Sequence, residues 1–85
     1  MRQFTYTIKD DLGIHARPAG LLVRLSSKYN SQITLAKDKK TADAKKIFSV
    51  MSLGVRYNET ITVAVQGSDE TEAADALKSF FETSL

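Results

Sequence analysis

The chain has 85 residues, of which 42% are hydrophobic and 26% charged, a balance typical of a folded globular protein. Its formal net charge of +2 is too small to indicate a nucleic-acid-binding protein. The absence of cysteine excludes disulfide bonds and thiolate metal sites, and with one histidine we expect neither a metal nor a cofactor. At this length we expect one domain, residues 1–85. No apolar run approaches the roughly 20 residues of a membrane-spanning helix, so we expect the protein in the cytoplasm.

The first part of the chain predicts a strand followed by a helix. Alternation of apolar and polar residues indicates a half-buried strand, whose inward side chains are Phe4, Tyr6 and Ile8. After a loop, apolar residues spaced by three and four predict a helix from Ala16 to about Ser27. Its core face consists of Ala19, Leu22, Val23 and Ser26. We expect Asn30 to close this helix, since asparagine readily takes the left-handed conformation.

The middle of the chain predicts a hairpin and a short helix. Strands over Gln32–Ala36 and Lys40–Asp43 flank a turn. The lysines of the hairpin suit a sheet edge, because charge there discourages further strand pairing. A helix from Lys46 to about Ser52 follows. Its inward side is predicted to consist of Val50 and Leu53, and its outer side largely of Ile47, Phe48 and Met51.

The last part predicts the clearest strand and the longest helix. Strict alternation over Glu59–Gln66 indicates a strand, and a helix runs from about Glu70 to Thr83. Asp69 and Glu72 form a capping-box pattern at the helix start. The core stripe consists of Ala73, Leu77, Phe80 and Phe81. The order β-α-β-β-α-β-α predicts an α+β fold, with three helices on one face of a four-stranded antiparallel sheet.

The single histidine and the single proline lie close together in the segment Gly13–Val23. Pro18 suits the first turn of a helix, where its missing N–H needs no partner, and this places His15 at or just before a helix N-terminus. The free N–H groups of that turn and the helix dipole attract an anion beside the imidazole. Arg17 adds a permanent charge whose donors match phosphate. This combination favours phosphoryl chemistry on His15; an ordinary surface or capping histidine is the alternative.

Two segments resemble a known family. Gly13–Ala19 (GIHARPA) resembles the active-site signature of HPr, the histidine-containing phosphocarrier of the bacterial phosphoenolpyruvate:sugar phosphotransferase system. Ala44–Val55 (AKKIFSVMSLGV) resembles the other signature of that family, at the expected distance. The similarity covers essentially the whole chain. It implies an open-faced β-sandwich whose first and last strands are adjacent in the middle region of the sheet.

The resemblance also implies a function. HPr proteins accept a phosphoryl group from enzyme I and pass it to sugar-specific IIA components, as carriers rather than stand-alone enzymes. By this resemblance, His15 is the covalent acceptor through its Nδ1 atom, and Arg17 is the second catalytic residue. The phosphate-binding residues are then Ala16, Arg17 and Pro18. Nucleic acid, metal and membrane insertion have no place in this function, and we expect a monomer.

A carrier that exchanges partners quickly needs a modest interface with an apolar centre and a charged rim. The expected partner-binding residues are Gly20, Leu21, Arg24, Ile47, Phe48 and Met51. The residues that could form a basic rim are Arg17, Arg24, Lys28, Lys45 and Lys46. For the lysines, an ordinary solvated surface is the alternative interpretation.

One position departs from the family pattern. HPr proteins of low-GC Gram-positive bacteria carry a regulatory serine at the start of the second helix, where this chain has Lys46. Regulation by HPr kinase at this position is therefore not expected. Two other functions stay open: a regulatory module that docks without carrying phosphate, and a nitrogen-related phosphocarrier with the same chemistry. The pair His15 and Arg17 favours a phosphocarrier, because a docking module needs neither.

Overall fold

Seven elements follow one another in the predicted order. The computed structural model describes residues 1–85. Its elements are β1 (Arg2–Thr7), α1 (Ala16–Ser26), β2 (Gln32–Lys37), β3 (Lys40–Asp43), α2 (Ile47–Ser52), β4 (Thr60–Gln66) and α3 (Glu70–Ser84). The ends of these elements differ from the predicted ones by about one residue, which is the usual uncertainty of helix and strand ends. No helix combines the length and the apolar character that a membrane-spanning segment requires.

The four strands form one antiparallel sheet in the order β1-β4-β2-β3. β4 lies inside the sheet, and its Val63 faces Phe4 of β1 on one side and Leu35 of β2 on the other. The predicted adjacency of the first and last strands is thus confirmed. Of these two strands, however, only β4 is interior, together with β2; β1 is an edge strand, because β2 occupies the other side of β4. The lysine-rich hairpin predicts the second edge correctly, since β3 pairs with β2 alone.

The two faces of the sheet differ in composition, as the period of two requires. One face is apolar, and its fully buried residues are Ile33, Leu35, Ile61, Val63 and Val65. The helices cover this face, with Leu22 of α1 and Leu77 and Phe81 of α3 fully buried. The Phe81 ring packs edge-on against Phe4, with ring centroids 6.2 Å apart. The opposite face carries mainly threonine and other small or polar residues, so the open-faced sandwich is confirmed.

Two predictions about helix ends are wrong, and both concern the loop between α1 and β2. Asn30 does not adopt a positive φ. The C-cap residue of α1 is Ser27, which lies in the right-handed region, and its hydroxyl donates to the Val23 carbonyl at 2.7 Å. Asp69 makes no side-chain cap on α3. Its carboxylate instead accepts the main-chain N–H groups of Asn30 and Ser31, at 2.8 and 2.9 Å. The Asp69 carboxylate is therefore bound to the loop between α1 and β2 and not to the first turn of α3.

Candidate functional site

Gly13 shapes the loop between β1 and α1. Its φ of 68° lies in the left-handed region, and a Cβ atom at this position would lie 2.3 Å from the Val55 carbonyl oxygen. Only glycine fits so close an approach. The next residue, Ile14, donates its N–H to the same Val55 oxygen at 3.0 Å and is buried in the core. The turn therefore anchors one side of the loop and brings His15 to the surface.

His15 is the N-cap residue of α1, as the sequence predicts. Its backbone is extended, with φ of −91° and ψ of −177°, and its carbonyl accepts the N–H of Ala19 at 2.9 Å. The imidazole makes no capping hydrogen bond, so the ring is free for other contacts. Pro18, buried in the first turn, has no N–H. The N–H groups of Ala16 and Arg17 are consequently the ones that the helix leaves for an external acceptor.

The imidazole lines a shallow depression of about 270 Å³. The other residues around it are Asp10, Arg17, Pro18, Leu21 and Ser84. The His15 side chain is 36% exposed, and Arg17 is exposed as well. An anion in this depression would meet an imidazole, a guanidinium and two main-chain N–H groups, which are suitable donors for a phosphoryl group. The structure thus places the predicted residues His15, Arg17 and Pro18 around one depression, and Ala16 lies beside His15 as the first residue of α1.

Asp10 and Ser84 line the depression although the sequence did not predict either of them, and Asp10 is the one that approaches the imidazole. Its Oδ2 lies 3.5 Å from His15 Nε2. Its other carboxylate oxygen accepts the N–H of Leu12 at 2.9 Å, which makes Asp10 the first residue of a turn. An aspartate in a loop is commonly a turn residue, and nothing in its spacing from the histidine indicates contact. Only the folded path of the loop brings the carboxylate to the imidazole.

Helices α1 and α2 pack against one another and both carry exposed apolar residues, of which Leu21 also lines the depression around His15. We call this exposed surface the α1–α2 face and define it by the exposed residues Leu21, Phe48 and Met51, with Gly20 and Arg24 at its α1 side. Phe48 is 83% exposed, an unusual state for a phenylalanine. A Cβ atom built on Gly20 would have no other atom within 4 Å, so no side chain projects from α1 at this point.

Ile47 and Lys45 require corrections. Ile47 is half-buried and packs against the core, so it does not lie on the outer side of α2 with Phe48 and Met51. Lys45 does not belong to a free basic rim, because its Nζ donates to the Tyr29 carbonyl at 2.7 Å. Lys46, in contrast, is exposed and is the N-cap residue of α2. Arg24 and Lys28 are exposed on α1 and just beyond its end.

The fold is thus an open-faced sandwich that carries a partly exposed histidine ring at a helix N-terminus. The family model for the PTS HPr component phosphorylation site matches residues 2–83. The phosphocarrier protein HPr of Mycoplasma genitalium is 43% identical over 83 residues, covering 96% of this chain and 94% of that protein. The chain therefore belongs to the HPr family, the phosphocarriers of the phosphotransferase system.

Solved structures agree with this assignment. HPr from Thermoanaerobacter tengcongensis superposes with a TM-score of 0.93 at 43% identity, over 98% of this chain and 93% of that one. HPr from Bacillus anthracis gives a TM-score of 0.87 at 35% identity, over 94% and 95%. The sheet order and the three helices described above are accordingly those of HPr proteins.

Proposed function

We propose that this chain accepts a phosphoryl group on His15 from phosphorylated enzyme I and passes it to IIA components of sugar permeases in the cytoplasm. The observation that carries the proposal is the position of the ring. His15 caps α1, and the helix leaves the N–H groups of Ala16 and Arg17 without partners beside it. We name enzyme I and the IIA components as the two kinds of partner because the chain belongs to the HPr family.

The transfer itself needs few protein groups. By membership of the HPr family, we assign the nucleophile to the ring nitrogen Nδ1. Its lone pair attacks phosphorus, and the bond between phosphorus and the donor histidine of enzyme I breaks, with the electron pair leaving on the donor. Transfer to the IIA component repeats this step in the opposite direction. Such reactions depend mainly on positioning and on stabilisation of charge.

Arg17 and the helix N-terminus supply that stabilisation. The Arg17 guanidinium contributes a permanent positive charge and planar donors, and the N–H groups of Ala16 and Arg17 contribute donors that need no reorganisation. Pro18 is buried and fixes the backbone of the first turn. These three residues are therefore the phosphate-binding residues of the proposal.

The α1–α2 face is the proposed partner-binding surface. Its apolar centre consists of Leu21, Phe48 and Met51. The half-buried Ile47, next to Phe48 in α2, packs against the core. Exposed Arg24 and Lys28 add positive charge that would steer acidic partners to the site. A small apolar centre with a charged rim permits both recognition and fast release.

The test is incubation with phosphoenolpyruvate, enzyme I and a panel of IIA proteins from sugar and nitrogen-related systems. We expect one acid-labile phosphoryl group by intact mass, and its loss to the cognate IIA protein. His15→Ala is the control. A protein that gains no phosphoryl group, or a His15→Ala variant that is labelled as well as the parent chain, would contradict the proposal. Faster transfer to the IIA proteins of one system would show whether the chain is a sugar-system or a nitrogen-related phosphocarrier.

A further inference from the structure

Asp10 lies beside the ring nitrogen that the proposed transfer does not use. Its Oδ2 is 3.5 Å from His15 Nε2, and the two side chains are 29% and 36% exposed. This distance is longer than a hydrogen bond. In unliganded proteins, contacts of this kind are often long and shorten when the reaction partner binds.

The backbone holds Asp10 in this position. Its Oδ1 accepts the Leu12 N–H at 2.9 Å, and its own N–H donates to the main-chain oxygen of Leu85 at 2.8 Å. Its carbonyl accepts the N–H of Gly13 at 2.9 Å. With these groups engaged, Oδ2 is the only acceptor atom of Asp10 that remains for the imidazole.

The main chain of His15 is held by the same turn. The His15 N–H donates to the Gly13 carbonyl at 3.1 Å, and the His15 carbonyl accepts from Ala19 at 2.9 Å. Gly13 therefore bonds to both partners of the contact, and its close approach to Val55 fixes the turn against the core. The Asp10 carboxylate and the His15 main chain are therefore held relative to one another before any partner binds.

We infer that Asp10 is a positioning residue, which keeps the proton of the neutral His15 ring on Nε2 and so leaves the lone pair on Nδ1; this inference rests on the proposed function. An ionised carboxylate only accepts hydrogen bonds, and a neutral imidazole has one N–H and one lone pair. A carboxylate at Nε2 therefore selects the tautomer in which Nδ1 is the nucleophile.

The same contact assists the transfer step. When the Nδ1–phosphorus bond forms and the donor bond breaks, the ring keeps its Nε2 proton and becomes positively charged. The Asp10 carboxylate stabilises that charge, while Arg17, in the same depression, faces the negative phosphoryl group. When the phosphoryl group leaves, the bonding electron pair returns to Nδ1 and the ring is neutral again. No proton moves in either direction.

Two substitutions distinguish this role from simple support of the loop. Asp10→Asn keeps an oxygen for the Leu12 N–H but places an amide N–H₂ toward Nε2, which favours a proton on Nδ1 instead. An amide in place of a carboxylate selects the unreactive tautomer in this way. Asp10→Ala removes the contact without imposing the other tautomer. Asp11→Asn is the matched control, since it removes the same charge from an exposed residue of the same loop.

The experiment combines ring ¹⁵N chemical shifts of His15 in alkaline buffer with rates of phosphoryl transfer from enzyme I. We expect the Nε2–H form in the parent chain and in Asp11→Asn, and a shift toward Nδ1–H in Asp10→Asn. Transfer should slow about threefold to fivefold in Asp10→Ala, as for the loss of a half-exposed ion pair, and more in Asp10→Asn. Melting temperatures of Asp10→Asn and Asp11→Asn should agree.

Unchanged ¹⁵N shifts in Asp10→Asn, or transfer slowed no more than in Asp11→Asn, would overturn the inference. If none of the proteins accepts phosphate, the proposed function fails, and the tautomer measurement still decides the role of Asp10. If all of them accept phosphate at one rate, the proposed function stands and the inference fails.

Discussion

Asp69, just before α3, accepts the main-chain N–H and the hydroxyl of Ser31, which lies 38 positions earlier in the chain. These bonds fasten the start of α3 to the loop between α1 and β2. The Ser31 hydroxyl first, and then the Asn30 N–H, hold the pKa of Asp69 below the usual value for an aspartate. Because the folded-state pKa is lowered, the bonds stabilise the fold above the unfolded-state pKa, and that stability is lost as pH falls through the folded-state pKa.

We therefore expect Asp69→Asn to lower the free energy of unfolding at neutral pH and to reduce the loss of stability in acid. The measurement is urea unfolding at neutral pH and in a series of buffers from about pH 5 down to about pH 2, the range in which such a carboxylate loses its contribution. Glu72→Gln is the matched control, because Glu72 is exposed in the first turn of the same helix. Parallel acid profiles for Asp69→Asn and the parent chain would contradict the assignment.

The second prediction concerns Gly13 and separates two costs of replacing a glycine. Gly13 and Gly54 both have φ above 60°, but a Cβ would lie 2.3 Å from the Val55 oxygen at Gly13 and no nearer than 4.0 Å to any atom at Gly54. Gly54→Ala should cost about 1–2 kcal/mol for the left-handed backbone alone. Gly13→Ala should cost more and slow phosphoryl transfer, because the turn that holds His15 must move. Equal unfolding free energies for the two variants would show that the close approach of Gly13 to Val55 adds nothing to the cost of the substitution.

The sequence predicts the sheet well because its strands have one buried face. A period of two fixes which side chains of β2 and β4 point inward, and Ile33, Leu35 and Val63 are fully buried as expected. Pro18 suits the first turn of a helix, and its position shortly after His15 likewise predicts where α1 begins. In both cases the prediction depends only on residues that are close together in the sequence.

The features that the sequence does not predict depend on contacts between distant segments. Asp69 fits a capping box, yet its carboxylate bonds to Ser31, which only the folded chain brings near it. Asp10 is indistinguishable from an ordinary turn residue until the loop places it beside His15. Ile47 lies in a helix of 6 residues, less than two turns, and so short a helix does not define its buried side by periodicity.

The third prediction concerns Arg17, which should contribute to transfer and not to folding. Arg17→Ala should raise the transfer barrier by about 2–4 kcal/mol, by analogy with the loss of a donor to a developing oxyanion. Its melting temperature should stay close to that of the parent chain, because an exposed side chain leaves no cavity. Arg24→Ala, on the same helix but outside the depression, should weaken partner binding with little effect on the transfer step. Rapid-quench rates at saturating enzyme I separate the two effects.

The fourth prediction tests the α1–α2 face with two phenylalanines. Phe48 is 83% exposed and Phe81 is fully buried against Phe4 and Tyr6. Phe48→Ala should weaken binding to enzyme I in calorimetric titration and leave the urea midpoint nearly unchanged. Phe81→Ala should lower the unfolding free energy by about 3–5 kcal/mol, the cost of truncating a buried phenylalanine. A Phe48→Ala variant that unfolds would show that this ring belongs to the core.

The last prediction concerns Lys46, the exposed N-cap residue of α2. A seryl kinase cannot modify a lysine, so incubation with HPr kinase and ATP should add no acid-stable phosphate. Acid treatment removes phosphohistidine and spares phosphoserine, which makes intact mass a sufficient readout. Acid-stable phosphorylation of the parent chain at Ser49 or Ser52 would refute the prediction.

Lys46→Ser is the informative variant, because serine is a preferred N-cap residue and should stabilise α2 by about 1 kcal/mol. It should also become a substrate of the kinase if the rest of the docking surface is intact. Phosphate there would place roughly −1.5 to −2 charges at the edge of the α1–α2 face, beside Phe48. Binding to acidic partners should then weaken, and the loss should diminish at high salt because exposed charges are screened. The parent chain, which keeps a positive charge at this position, should bind the same partners equally before and after kinase treatment.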